Sequence, residues 1–281
     1  MRTARLTSGQ HFPIGKILCI GHNYAEHIKE LGNATPEAPV IFIKPASSVI
    51  GEGEAIVIPS YSHDCHHEAE LALLIGRKGK DIPVNQAMES IAGYGVGIDL
   101  PLRDVQGELK KKGLPWEIAK GFDTACPLSD FVEASDVADP QNLQIRLTVN
   151  GERRQDGNTS MMIHRIPAII SHMSGIFTLE LGDVILTGTP SGVSRIVSGD
   201  QIVTEIQGVA TLHVSVAYSE SFPLLSVFIC IHLALQEKRR GKRQEGADIT
   251  IPGLKNFLFG SLVFVFVCII IISVYKRAIH T

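Results

Sequence analysis

Two carboxylates separated by one residue open an apolar run, His66-His67-Glu68-Ala69-Glu70-Leu71-Ala72-Leu73-Leu74-Ile75. Read as a β-strand, the run turns Glu68 and Glu70 to one face. Leu71 to Ile75 is apolar at every position, the mark of a strand buried on both faces. Carboxylates at the head of such a strand must meet water, take up a proton or pair with a cation. A hard divalent ion satisfies them best, because it takes oxygen ligands from Glu and Asp. The plainer alternative is a strand end whose glutamates face water. His27 and Glu30 are three apart on a short predicted helix and share one face. They read either as a polar surface pair or as a base with its orienting partner. Asp99 closes a Gly-rich strand that begins at Ala92. Lys120, between a helix-like run and a Gly-Phe turn, is a surface lysine or lines a pocket, and Trp116 can wall one. Thr187-Gly188-Thr189-Pro190 offers hydroxyls and free backbone N–H groups, a nest suited to an anion.

The elements that must position these residues are mostly short strands. Ile17–Ile20 and Val40–Ile43 read as buried strands, the second ended by Lys44-Pro45. Val84–Ala92 is predicted helical, and Lys110, Lys111 and Lys112 read as a solvated face. Leu143–Asn150 alternates as a strand, and Asn150-Gly151 predicts a hairpin returning through Glu152–Gln155. Ile163–Met173 is a predicted helix with Pro167 near its start. Gln201–Ile206 and Thr211–Tyr218 form a final strand pair. Many strands and few helices predict a mixed, strand-rich roll or barrel.

A chain of 281 residues with 44% apolar content holds one large domain or two small ones. Residues 1–220 carry 18 Lys/Arg against 26 Asp/Glu, a net of -8, whereas residues 221–281 carry 8 against 3, a net of +5. The acidic body lacks the basic stripe that nucleic-acid binding needs. Five scattered cysteines without a CxxC pair indicate neither a zinc site nor a disulfide framework. Met1 to Gln10 has no apolar core, so no signal peptide is expected. Phe257 to Tyr275 is 19 residues without a formal charge. At about 1.5 Å per residue this approaches the roughly 30 Å hydrocarbon thickness. It reads as a membrane helix after a basic linker (221–256), or as translated non-coding sequence appended to the chain.

Taken in order, these segments resemble the fumarylacetoacetate hydrolase family, in its small acylpyruvase and oxaloacetate decarboxylase branch. The resemblance spans roughly residues 14–218. It rests on Gly21-His22-Asn23-Tyr24 with His27 and Glu30, Phe42-Ile43-Lys44-Pro45, His66-His67-Glu68-Ala69-Glu70, Asp99 with Arg103-Asp104-Val105-Gln106, Lys120-Gly121-Phe122-Asp123, and Leu186-Thr187-Gly188-Thr189-Pro190. It implies a β-sandwich roll, a homodimer, and Mg²⁺, replaceable by Mn²⁺, on Glu68, Glu70 and Asp99. It further implies His27 and Glu30 as a water-activating dyad and Lys120 as the catalytic lysine. Arg103, Gln106 and Thr189 become contacts to the substrate's carboxylate or keto oxygens. Pro101 departs from the family, which commonly has threonine there, and proline lacks both its N–H and its hydroxyl.

The expected activity is metal-dependent hydrolysis of a C–C bond in an acylpyruvate or related 2,4-dioxo acid, giving pyruvate and a carboxylic acid. Oxaloacetate decarboxylation and isomerisation of unsaturated dicarboxylic 2-oxo acids are the enzymatic alternatives. A membrane-tethered binding protein with an inactive site is the non-enzymatic one. The expected arrangement is a catalytic domain over 1–220, cytoplasmic and anchored only if the helix at 257–275 is genuine.

Overall fold

The structure, a computed structural model, describes residues 2–30, 32 and 39–218. In chain order, the first half contributes β1 (Lys16–Gly21), α1 (Ala25–Glu30), β2 (Val40–Pro45), β3 (Ala55–Ile58), β4 (His66–Ile75), β5 (Ile91–Asp99), α2 (Arg103–Lys112) and α3 (Glu117–Lys120). The second half contributes β6 (Val132–Glu133), β7 (Gln144–Val149), β8 (Glu152–Asn158), α4 (Ile166–Ile176), β9 (Val184–Leu186), β10 (Ser194–Arg195), β11 (Gln201–Ile206) and β12 (Ala210–Tyr218). They form a mixed, strand-rich fold, as the strand pattern predicts.

These strands sort into two sheets, and two further two-stranded sheets pair Thr3–Arg5 with His11–Pro13 and Val49–Ile50 with Cys126–Pro127. A seven-stranded sheet runs β6-β5-β4-β9-β1-β2, with β10 also paired to β4. A five-stranded sheet runs β8-β7-β11-β12-β3. In β7, β11 and β12 buried and less buried residues alternate, as expected of strands with one face on the core. In β4 nearly every residue is buried, so both of its faces are covered. Ala69, Leu71, Leu73 and Ile75 join Ile145, Leu147, Ile202 and Val214 of the five-stranded sheet in one hydrophobic cluster. Ala72 and Leu74, on the opposite face, join Ile17, Val184, Leu186 and Phe131 in a second. Each fully buried leucine here contributes about 1.5–3 kcal/mol through removal from water. β4 therefore serves as a rigid floor between two cores, and Glu68 and Glu70 stand at its first end.

Several boundaries differ from the sequence expectation for local reasons. Val84–Ser90 is a 3-10 helix. Asn150 and Gly151 both take positive φ, 53° and 79°, the pair of left-handed residues that a two-residue hairpin turn demands. The return strand β8 runs on to Asn158, past the expected Gln155. α4 starts at Ile166, with Pro167 in its first turn. Lys110 to Lys112 belong to the last turn of α2, which ends on Gly113 in the left-handed conformation. No helix among the described residues is long and apolar enough to cross a membrane. The expected helix at 257–275 lies outside the described residues.

Candidate metal centre and cleft

Strand register brings the carboxylates together. β4 and β5 are antiparallel, with Glu68 directly opposite Asp99 and Glu70 opposite Gly97. Directly paired residues share a face. Glu68 and Asp99 therefore project side by side, and Glu70 joins them two residues along β4. Their oxygens lie within 4.8 Å of one another, and all three residues are buried.

Three cations surround this triad. Lys120 Nζ donates to Glu68 Oε2 at 2.9 Å and to Asp99 Oδ2 at 2.5 Å. Arg103, at the start of α2, donates from Nη2 to Glu68 Oε1 and from Nη1 to Gln106 Oε1, the latter at 3.1 Å. Lys44, at the end of β2, is fully buried. Its ammonium donates to the backbone carbonyls of Lys120 and Ala125. Lys44 Nζ also lies 2.7 Å from Asp99 Oδ1 as an ion pair. Asp99 Oδ1 is buried and makes no directed hydrogen bond. Burial pushes the Glu68 carboxyl up, but Lys120, Arg103 and His27 together hold it well below the usual range. Glu70 goes the other way. Among the described residues no cation forms an ion pair with it, and burial together with Asp99 and Glu68 pushes it well above the usual range. Burial works against the Lys120 ammonium, but Asp99 and Glu68 outweigh it and raise its pKa.

The donor set fits a divalent ion. All three ligands are carboxylate oxygens. Asp99 Oδ1 makes no directed hydrogen bond and faces the Lys44 ammonium 2.7 Å away. Among the described residues, the one hydrogen-bond donor to the buried Glu70 carboxyl is the Gly188 N–H, 2.5 Å from Oε2. The loop at 187–190 reads in the sequence as a nest for a carboxylate or other anion, and in the structure the Gly188 N–H meets the carboxyl of Glu70. Gly188 has φ 91°, and a Cβ there would lie 2.7 Å from Asn23 Cβ, so the loop needs glycine at this point.

The remaining predicted residues line the same cleft. His27, Glu68, Glu70, Asp99, Arg103, Gln106, Lys120 and Thr189 all face it, with Phe42 and Trp116 as part of its wall. Glu30 sits behind His27. His27 Nδ1 is 3.2 Å from Glu30 Oε2, and Glu30 Oε1 accepts the Gly192 N–H at 3.0 Å. His27 Nε2 lies 3.8 Å from Glu68 Oε1. The Pro101 carbonyl accepts the His66 N–H at 3.0 Å, so the departure at this position still ties the end of β5 to the start of β4.

Three residues that sequence reasoning passed over also belong to this region. Lys44 was visible as a lysine ending an apolar strand. Lys110 also lines the cleft, with Nζ 5.0 Å from the centre of the Trp116 ring. Its spacing from Arg103 and Gln106 puts the three on one helical face. That signal becomes readable only once 103–112 is recognised as a helix. Gln155 comes from the other sheet and has no local signature.

A strand-rich sandwich carrying a buried divalent-metal triad beside an imidazole–carboxylate pair has the architecture of a metal-dependent enzyme. The chain belongs to the fumarylacetoacetate hydrolase family, matching its fumarylacetoacetate (FAA) hydrolase C-terminal domain over residues 16–217. It is 50% identical over 198 residues to oxaloacetate tautomerase YcgM of Escherichia coli, covering 70% of this chain and 90% of that protein. It is 46% identical over 196 residues to the mitochondrial oxaloacetate tautomerase FAHD1 of Homo sapiens, covering 70% and 89%. Among solved structures it resembles fumarylpyruvate hydrolase from Pseudomonas aeruginosa in complex with Mn²⁺ and pyruvate. That match has a TM-score of 0.73 at 35% identity and covers 78% of this chain and 96% of that one. The match to the family ends at residue 217, short of 257–275, and the relatives are spanned almost entirely. The expected membrane attachment is corrected accordingly: the family domain and the described helices provide no membrane span.

Proposed function

We propose that this chain is a metal-dependent tautomerase of a small dicarboxylic 2-oxo acid, with oxaloacetate as the reference substrate. The observation that carries this reading is His27, backed by Glu30, opening onto the same cleft as the carboxylate triad. The names of the relatives from Escherichia coli and Homo sapiens support it. It ranks above the hydrolysis expected from the sequence.

Keto–enol interconversion moves one proton between carbon 3 and the 2-oxo oxygen. His27 presents Nε2 to the cleft while Glu30 holds Nδ1. Imidazole is suited to take and return a proton near neutral pH. In the keto-to-enol direction His27 Nε2 takes the proton from carbon 3. Lys120 gives one from Nζ to the 2-oxo oxygen, solvent then takes the proton from His27 and returns one to Lys120, and the reverse direction runs the same transfers backwards. Glu68, Glu70 and Asp99 would hold Mg²⁺, with Mn²⁺ as a replacement. When bound, the ion supplies positive charge against the negative charge developing on the substrate oxygens. Arg103, which pairs with Glu68 here, would then meet the substrate carboxylate. Lys110, beside Trp116, offers a further cation for the second carboxylate of a dianionic substrate. All residues used here lie within 1–220, and the homodimer implied by the family resemblance remains part of this reading.

A second reading is acylpyruvate hydrolysis, favoured by the likeness to fumarylpyruvate hydrolase, because the same dyad can activate water. Enol-oxaloacetate and acetylpyruvate assayed side by side separate the two. The tautomerase reading expects fast loss of enol without pyruvate, and a fall of roughly 10²–10⁴-fold in His27→Gln, the usual weight of a general base. Pyruvate release from acetylpyruvate as the faster reaction would overturn it in favour of hydrolysis.

A further inference from the structure

We infer that Gln155, reaching from the five-stranded sheet, sets the Thr189 hydroxyl as a hydrogen-bond donor toward the substrate. Gln155 is thus a positioning residue that acts through Thr189. This deepens the proposed function and rests on Thr189 meeting an oxygen of the bound 2-oxo acid.

Two backbone groups beside Gln155 have roles that cannot change. The Ala69 N–H can only donate, and it lies 3.0 Å from Gln155 Oε1. The Pro190 carbonyl can only accept, and it lies 2.9 Å from Gln155 Nε2. Together they fix which way the amide faces, an orientation that otherwise has to be assigned from its network. Both ends then propagate. Oε1 also lies 3.0 Å from His67 Nδ1, so Nδ1 must carry a proton. His67 is fully buried, and its Nε2 lies 2.8 Å from Ser194 Oγ. At the other end, the second Nε2 proton goes to Thr189 Oγ1 at 2.8 Å. Gln155 therefore uses both donors and both acceptor positions, fully buried, with no freedom left.

The consequence falls on Thr189. Its Oγ1 accepts from Gln155, so its own proton must point elsewhere. Thr189 lines the cleft beside Gly188 and Glu70, and no acceptor among the described residues takes that proton. A hydroxyl free to rotate serves donors and acceptors alike. Here Gln155 takes one lone pair, so the O–H proton is left for an acceptor in the cleft, such as a carboxylate or keto oxygen. His67 and Gln155 thus pass a fixed hydrogen-bond polarity from the face of β4 opposite the carboxylates to the substrate side of the cleft.

The test is a double-mutant cycle on the full chain loaded with Mn²⁺, using oxalate as a non-reacting probe and calorimetry as the readout. Gln155→Met and Thr189→Val should each weaken oxalate about tenfold, the weight of one hydrogen bond to a charged group. The double variant should be no weaker than either single one, while Mn²⁺ affinity stays unchanged in all three. A second measurement needs no variant: ¹⁵N NMR of histidine-labelled protein should show His67 protonated at Nδ1. Additive losses, an oxalate affinity unchanged by Gln155→Met, or a ring protonated at Nε2 overturns the inference. Because oxalate binding and the ring tautomer involve no turnover, they stand or fall separately from the tautomerase reading.

Discussion

Replacing Glu70 by Gln separates the metal's contribution from that of the fold. In the metal-free protein Glu70 is pushed toward its neutral form by burial, Asp99 and Glu68. It accepts only the Gly188 N–H, a bond that a glutamine oxygen can also accept. Glu70→Gln therefore resembles the metal-free state already present, and its stability without metal should change by less than about 1 kcal/mol. Metal affinity should respond very differently. Loss even of a residue that only supports a ligand costs about 10–100-fold, so loss of a ligand should cost at least about 100-fold. At a Mn²⁺ concentration about 100 times the wild-type Kd, binding stabilises the wild type by about 2.7 kcal/mol. For a domain of this size each kcal/mol is about 2–4 °C in Tm, so the shift is roughly 5–11 °C. In the variant the same Mn²⁺ contributes about 0.4 kcal/mol, roughly 1 °C. Thermal melts with and without Mn²⁺, against a chelator control, read both numbers. An equal Mn²⁺ shift in Glu70→Gln, or a metal-free variant destabilised by several kcal/mol, refutes the reasoning.

Three further outcomes follow from the geometry. His67 is held down to about 4 by burial, against about 6.5 when unfolded, so its contribution is complete above pH 6.5 and is lost as pH falls towards 4. Urea melts of the metal-free protein should lose about 3 kcal/mol over that window, and His67→Gln should flatten the slope. Lys44→Met leaves Asp99 with one cation fewer and should cost about 3–5 kcal/mol in denaturant melts, as expected for breaking a buried ion pair. Lys110→Met should raise KM for oxaloacetate several-fold while leaving KM for a substrate with an uncharged tail unchanged, measured by steady-state kinetics.

Much of the site was legible because its residues sit where local patterns are strongest. Glu68 and Glu70 announced themselves by their two-residue spacing at the head of an apolar strand. Asp99 was legible as the last residue of a Gly-rich strand, but its place opposite Glu68 depends on how β4 and β5 pair, which neither strand encodes alone. The hairpin at Asn150-Gly151 was legible because its turn demands two left-handed residues. Gln155 stayed hidden because its function is purely tertiary: the residues it joins, His67, Ala69 and Thr189, are remote in sequence and come from the facing sheet and a loop. Lys110 was hidden for a different reason. A run of three lysines reads as a solvated face, and only the turn of α2 aims the first of them at Trp116. The uncharged run 257–275 misled in the opposite direction. Hydropathy read it as a membrane helix or as appended non-coding sequence, and the family domain, which ends at 217, provides no membrane span.

The central claim is that the cleft moves a proton on a 2-oxo acid without cleaving it. The most direct measurement follows freshly dissolved enol-oxaloacetate by NMR in ²H₂O with the full chain and Mg²⁺. The account predicts accelerated conversion to the keto form with deuterium entering carbon 3, stopped by a chelator and lost in His27→Gln, with no pyruvate beyond the enzyme-free control. Pyruvate forming in step with loss of substrate, or enol decay no faster than without protein, would contradict it.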